Sequence, residues 1–66
     1  MTDAIVAERV EKIRAMACDD ETAHSAEDTL HQDVLSAIAE GRCANPQSCA
    51  RAALKTLEIN FARWCA

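Results

Sequence analysis

The chain has 66 residues, half of them apolar, and carries 11 acidic and 7 basic side chains for a net charge of -4. A chain this short forms one domain (residues 1–66) with a thin core and little room to enclose a substrate, and its acidic balance works against non-specific nucleic-acid binding. Because glycine-rich phosphate loops and nucleophile motifs are also missing, the sequence argues against an enzyme.

The composition predicts an all-α protein. There are 14 alanines against one glycine and one proline, and alanine favours helices that glycine and proline break. No apolar run is long enough to span a membrane, and acids stand where a signal peptide would have basic residues, so we expect a cytoplasmic protein. In a reducing cytosol its four cysteines would be free thiols or metal ligands rather than structural disulfides.

The first helix is predicted over residues 3–18. Thr2 is a good N-cap, and Asp3 stands in the first turn, where the helix dipole favours an anion. Val6, Val10 and Ile13 then recur at helical spacing and predict the face that packs into the core.

The second helix is predicted over residues 26–40 and follows a loop at 19–24, where no apolar periodicity is visible. Ser25 and Asp28 approximate a capping box at its start. Leu30 and Val34 give its apolar stripe, and Gly41 stands where a left-handed C-cap is expected.

The third helix is predicted over residues 46–57, with Asn45 as N-cap and Pro46 in the first helical position. Residues 58–66 admit two interpretations. Trp64 continues the apolar face of a helix, whereas Leu57, Ile59 and Phe61 alternate as in an extended segment. Short connections favour antiparallel neighbours and so a small three-helix bundle. Its thin core makes a homodimer an alternative to a monomer.

Metal binding is one hypothesis for the histidines and cysteines. If residues 24–31 were helical, His24, Glu27 and His31 would lie on nearby faces, although capping and solvent exposure are the favoured explanation for these residues. Cys43 and Cys49 have five residues between them, more than a zinc knuckle uses. They could contribute to a zinc site, form a disulfide or remain free. The further candidate ligands for such a site are Cys18, His24, His31 and Cys65.

Binding to another protein is the second hypothesis. Glu27 and His31 border the apolar stripe of the second helix, where a carboxylate either pairs within the chain or faces a partner. Leu35 lies to one side of the same stripe. Trp64 is a residue type enriched in interface hot spots, although in a core this thin it could equally be buried.

The segments "AEDTLHQDVLSAIAEG" and "FARWCA" resemble small helical proteins of bacteria and of their phages or mobile elements. The likeness covers about a third of the chain and implies no activity, site or cofactor. Together with the acidic composition it predicts an accessory or inhibitory protein that acts by binding another protein. The alternative is a zinc-stabilised or redox-responsive module built on the cysteines and histidines.

Overall fold

The first helix begins at its predicted cap and ends earlier than expected. The computed structural model describes residues 1–63, in which α1 spans Asp3–Ala15. The Thr2 hydroxyl accepts the Ile5 N–H at 3.3 Å. After Ala15 the Met16 and Ala17 amides donate to carbonyls only three residues back. These tight turns end α1 three residues before the predicted end at Cys18.

The second helix starts well before its predicted position. Helix α2 spans Asp20–Ala39, and its N-cap is Asp19, whose carboxylate accepts the Thr22 N–H at 3.1 Å. The predicted loop at 19–24 and the predicted cap at Ser25 are therefore wrong. Ala23, completely buried in the core, explains the extra turns, because a single small residue leaves no periodicity in the sequence yet packs against α1 and its neighbours.

The end of α2 is a glycine cap, as predicted. Gly41 has a φ of 72°, and its N–H donates to Ile38 O at 3.2 Å. The next amide, that of Arg42, donates to Ala37 O at 2.8 Å. This pair of bonds is the Schellman motif, which satisfies the last carbonyls of a helix and turns the chain back.

The third helix begins at the predicted cap and tightens before its predicted end. Helix α3 spans Pro46–Leu54, and the Asn45 side chain accepts the Ser48 N–H at 3.0 Å. A 3₁₀ turn, Lys55–Glu58, then covers the rest of the predicted helical range. Beyond it Ile59 has extended backbone angles, and both Ile59 and Phe61 are buried. The predicted alternation therefore holds from Ile59 to Phe61 but not at Leu57, which lies in the 3₁₀ turn and is exposed. Trp64 and Cys65 lie outside the described residues.

The three helices form the predicted all-α bundle around one small core. Each helix packs against the other two, and no strand occurs within residues 1–63. The core residues are mostly aliphatic and small: Val6, Val10, Ile13, Ala23, Leu30, Val34, Cys49, Ala53, Ile59 and Phe61. No helix among the described residues is long and apolar enough to cross a membrane.

The observed start of α2 can be tested with two alanine variants. Replacing Asp19 by Ala should lower the melting temperature by several degrees, because the helix loses its cap. Ser25→Ala, in the helix interior, should leave it nearly unchanged. Thermal denaturation followed by circular dichroism measures both.

The cap also predicts a pH dependence. Hydrogen bonds from Thr22 hold the pKa of Asp19 below its usual value. A carboxyl whose pKa is lowered by folding stabilises the protein above its unfolded-state pKa and loses this effect as the pH falls. Wild type and Asp19→Ala should therefore converge in stability in acid. An equal loss for Ser25→Ala would contradict the observed helix start.

Candidate interaction site

A buried ion pair joins the middle of α2 to the segment after the 3₁₀ turn. Glu27 is only 4% exposed. Arg63 approaches it with two nitrogens, Nε at 2.9 Å from one carboxylate oxygen and Nη2 at 3.1 Å from the other. Such a two-bond arrangement is the strongest geometry available to an arginine and a carboxylate. Glu27 is thus engaged within the chain, the first of the two alternatives its position suggested.

The same guanidinium also donates to backbone carbonyls of the segment that follows α3. Its Nη2 donates to Thr56 O at 2.6 Å and to Ile59 O at 3.1 Å, and Nη1 donates to Phe61 O at 3.3 Å. It also lies 3.9 Å from the centroid of the Phe61 ring, within cation–π distance. Arg63 therefore holds the irregular segment 56–61 against α2.

Burial and charge act in opposite directions on Glu27. Removal from water by itself would raise the pKa of its carboxyl. The hydrogen bonds from Arg63 and its positive charge outweigh burial, so the pKa of Glu27 lies below its usual value. The carboxylate is consequently ionised at neutral pH and complements the arginine.

His31 binds the 3₁₀ turn instead of facing solvent. Its Nε2 lies 2.9 Å from the Thr56 hydroxyl and 3.3 Å from Ala53 O. A carbonyl can only accept, so a proton on Nε2 is the tautomer that fits both contacts. The Thr56 hydroxyl is itself 3.1 Å from Ala53 O and fully buried. His31 thereby helps to hold the 3₁₀ turn on α2.

The proposed metal ligands do not converge within the described residues. Residues 24–31 are helical, as a shared metal site would require, yet His24 lies 3.5 Å from Asp28 and His31 contacts Thr56. Among residues 1–63 no three histidine, cysteine or acidic side chains are placed to hold a metal ion. Cys18 is exposed, and Cys65 lies outside the described residues.

The two cysteines around the α3 cap are close together. Cys49 is completely buried and Cys43 partly buried, and both belong to the same apolar cluster. Burial, followed by contact with the Cys43 thiol, raises the pKa of Cys49. The Cys49 thiol is therefore protonated at neutral pH.

Each pair of helices forms an outer groove, and the groove between α2 and α3 differs in character from the other two. The α1–α2 groove, about 570 Å³, contains the charged residues Arg9, Lys12 and Glu21. The α1–α3 side presents two further grooves, which contain Asp3, Glu11, Arg14, Arg51 and Lys55. The α2–α3 groove, about 210 Å³, has no lysine, arginine or acid; its lining is His31, Val34, Leu35, Ile38, Ala50, Ala53 and Leu54.

Two leucines border the α2–α3 groove without being covered by the chain. Leu35 is 67% exposed and Leu54 is 58% exposed. Leu57, one turn after Leu54, is 59% exposed. Leu35 is one of the partner contacts predicted from the sequence, and its side chain is exposed to solvent. Its role in binding stays a prediction.

Sequence reasoning missed Arg63 and Leu54. A carboxylate bordering the apolar stripe of α2 did signal that a cation was needed, but any of seven basic residues could have supplied it. Leu54 shares a helical face with Ala50 and Leu57, a pattern that indicates burial and not an exposed contact. The tightening into a 3₁₀ turn directly after Leu54 was not visible in the sequence.

Comparisons with protein-family models, with curated proteins and with solved structures found no match to this chain. The resemblance to small phage and mobile-element proteins is accordingly untested. Function has to be argued from the surface and from the chemistry of the residues themselves.

Breaking the buried pair should destabilise the fold. Glu27→Gln and Arg63→Met should each lower the free energy of unfolding by about 2 kcal/mol, because each leaves buried polar atoms without a charged partner. The double variant should lose less than the sum, since both changes remove one interaction. Urea denaturation measures all three. Glu8→Gln removes an exposed pair with Lys12 and serves as the control, with an expected loss below about 0.5 kcal/mol.

The contribution of the pair should also vanish in acid. Because the pKa of Glu27 is lowered, its stabilisation is complete at neutral pH and is lost as the pH falls below the ordinary glutamate range. Wild type and Glu27→Gln should then approach equal stability. Strictly additive losses, or a difference independent of pH, would show that Glu27 and Arg63 do not act as a pair.

Proposed function

We propose that this protein acts by binding another protein, and that it accepts an amphipathic helix of that partner in the α2–α3 groove. The observation that carries the proposal is the uncharged, apolar lining of this groove beside two exposed leucines, Leu35 and Leu54. Exposed apolar surface on a small protein is costly in water and commonly marks an interaction site.

The shape of the groove favours a helix as the occupant. A short connection joins the end of α2 at Ala39 to the start of α3 at Pro46, and His31, two turns before the end of α2, contacts Ala53 in the second turn of α3. The two helices therefore run antiparallel. Helix α1 packs against both members of this pair. A partner helix on the opposite side would complete a four-helix arrangement, with its apolar stripe between Leu35 and Leu54.

Charge favours a basic partner over a second copy of this chain. Besides Glu27, which Arg63 neutralises, helix α2 contains four acidic residues and no lysine or arginine. A helix with lysine or arginine beside its apolar stripe would be attracted to α2, whereas a second copy brings the same net charge of -4. An accessory or inhibitory role in the cytoplasm, of the phage or mobile-element kind, is the setting we propose for such binding.

The groove can be tested with a synthetic probe. A labelled helical peptide with leucines at helical spacing and lysines on its flanks should bind the full chain, as measured by fluorescence anisotropy. Leu35→Gln and Leu54→Gln should each weaken binding by about tenfold, because each removes apolar contact area without changing charge. Ile5→Gln is the matched control: Ile5 is 48% exposed on α1, away from the groove.

Three outcomes would overturn the proposal. Equal loss of binding in Ile5→Gln would mean that the peptide does not select the groove. Equally tight binding of a peptide with glutamates in place of the lysines would show that charge does not select a basic partner. A native mass spectrum showing a dimer that Leu35→Gln dissociates would identify a second copy of the chain as the occupant.

A further inference from the structure

The turn between α2 and α3 places two cysteines, Cys43 and Cys49, in one apolar cluster. Asn45 caps α3, and its carbonyl accepts the Cys49 N–H at 3.0 Å, so the chain between the cysteines forms the first turn of the helix. Pro46 occupies the first helical position and restricts the turn further. Cys43, just before the cap, and Cys49, one turn into α3, consequently lie in the same apolar cluster.

The N-terminal residue closes this turn on its other side. Met1 O accepts the Ala44 N–H at 3.1 Å and lies 4.0 Å from the Cys49 sulfur, within range of a weak S–H hydrogen bond. Cys49 has no exposed surface, whereas Cys43 is partly accessible. One thiol of the pair can therefore meet a reagent in solution, and the other can be reached only through the first.

We propose that Cys43 and Cys49 form a reversible disulfide, with Cys43 as the attacking cysteine and Cys49 as the resolving one. The oxidant is a small disulfide of the glutathione type. This assignment does not depend on the partner-binding groove.

The reaction proceeds by two exchanges. The Cys43 thiolate attacks one sulfur of the small disulfide, breaks its S–S bond and releases one small thiol. The Cys49 sulfur then attacks the Cys43 sulfur and breaks the mixed disulfide, and the Cys49 proton passes to the departing small thiolate, which leaves as the second small thiol. The two protein thiols are oxidised by two electrons, and the small disulfide is reduced to two thiols.

Oxidation would change the turn in two ways. The new bond would tie the stretch before α3 to the first turn of α3, so that residues 43–49 become one closed loop. Cys49 would also lose the S–H that points at Met1 O. The N-terminal residue would then be held at this point by the Ala44 N–H, without the sulfur contact.

The test uses the full chain equilibrated in glutathione buffers of increasing oxidised fraction, quenched in acid and analysed by intact mass and peptide mapping. We expect a species lighter by two hydrogens whose disulfide joins Cys43 to Cys49. The double variant Cys18→Ser, Cys65→Ser should form it at the same glutathione ratio. Within the native fold, alkylation of Cys49 should be at least about tenfold slower than that of Cys18, which is exposed.

Single variants distinguish the two roles. In the double-serine background, Cys49→Ala should stop the reaction at the Cys43–glutathione adduct, whereas Cys43→Ser should leave Cys49 unmodified. Should Cys49→Ala fail to fold, Cys43→Ser alone still decides, because a reactive Cys49 in that variant contradicts the proposal. A disulfide that involves Cys18 or Cys65, or one that forms only in denaturant, would also overturn it.

Discussion

The buried pair of Glu27 and Arg63 is the interaction on which this fold most depends. A core made largely of valines, alanines and one large aromatic ring has little apolar area to spare, and cores of this size usually provide only about 3 to 5 kcal/mol. Arg63 adds polar contacts that stabilise the fold beyond what this small apolar core provides. It neutralises a carboxylate that α2 carries into the interior and at the same time donates to carbonyls of the irregular segment beyond α3.

The pair also determines which surfaces remain available. Because Glu27 and His31 are occupied by contacts inside the chain, the polar margin of α2 is turned inward at these positions. The part of the α2–α3 boundary left to solvent is accordingly apolar, with Leu35 and Leu54 at its edges. The packing of α2 against α3 and the 3₁₀ turn thus produces both the internal polar network and the external apolar groove.

Local signals were sufficient for much of the fold. The caps at Thr2 and Asn45 and the glycine turn at Gly41 were predictable, since each rests on hydrogen bonds between residues a few positions apart. The start of α2 was not predictable, because Asp19 and Ser25 both have side chains that suit an N-cap. The choice between them depends on burial of Ala23 by distant residues.

The two candidate sites differ in the same way, because one depends on local contacts and the other on distant ones. The closeness of Cys43 and Cys49 follows from a local cap, and their pairing was among the alternatives visible in the sequence. The binding partner of Glu27 lies 36 residues away, and nothing near either residue indicates the other.

That separation also bears on how the chain acquires its structure. Each helix can begin to form from contacts within a few residues, and such local steps are fast. The contact between Glu27 and Arg63 instead closes a long loop, whose entropic cost has to be met before the contact can stabilise anything. Until then a carboxylate lies on the inner face of α2 without its cation. We therefore expect the last step of folding to be the arrival of the 59–63 segment, which converts a loose assembly of three helices into a closed core.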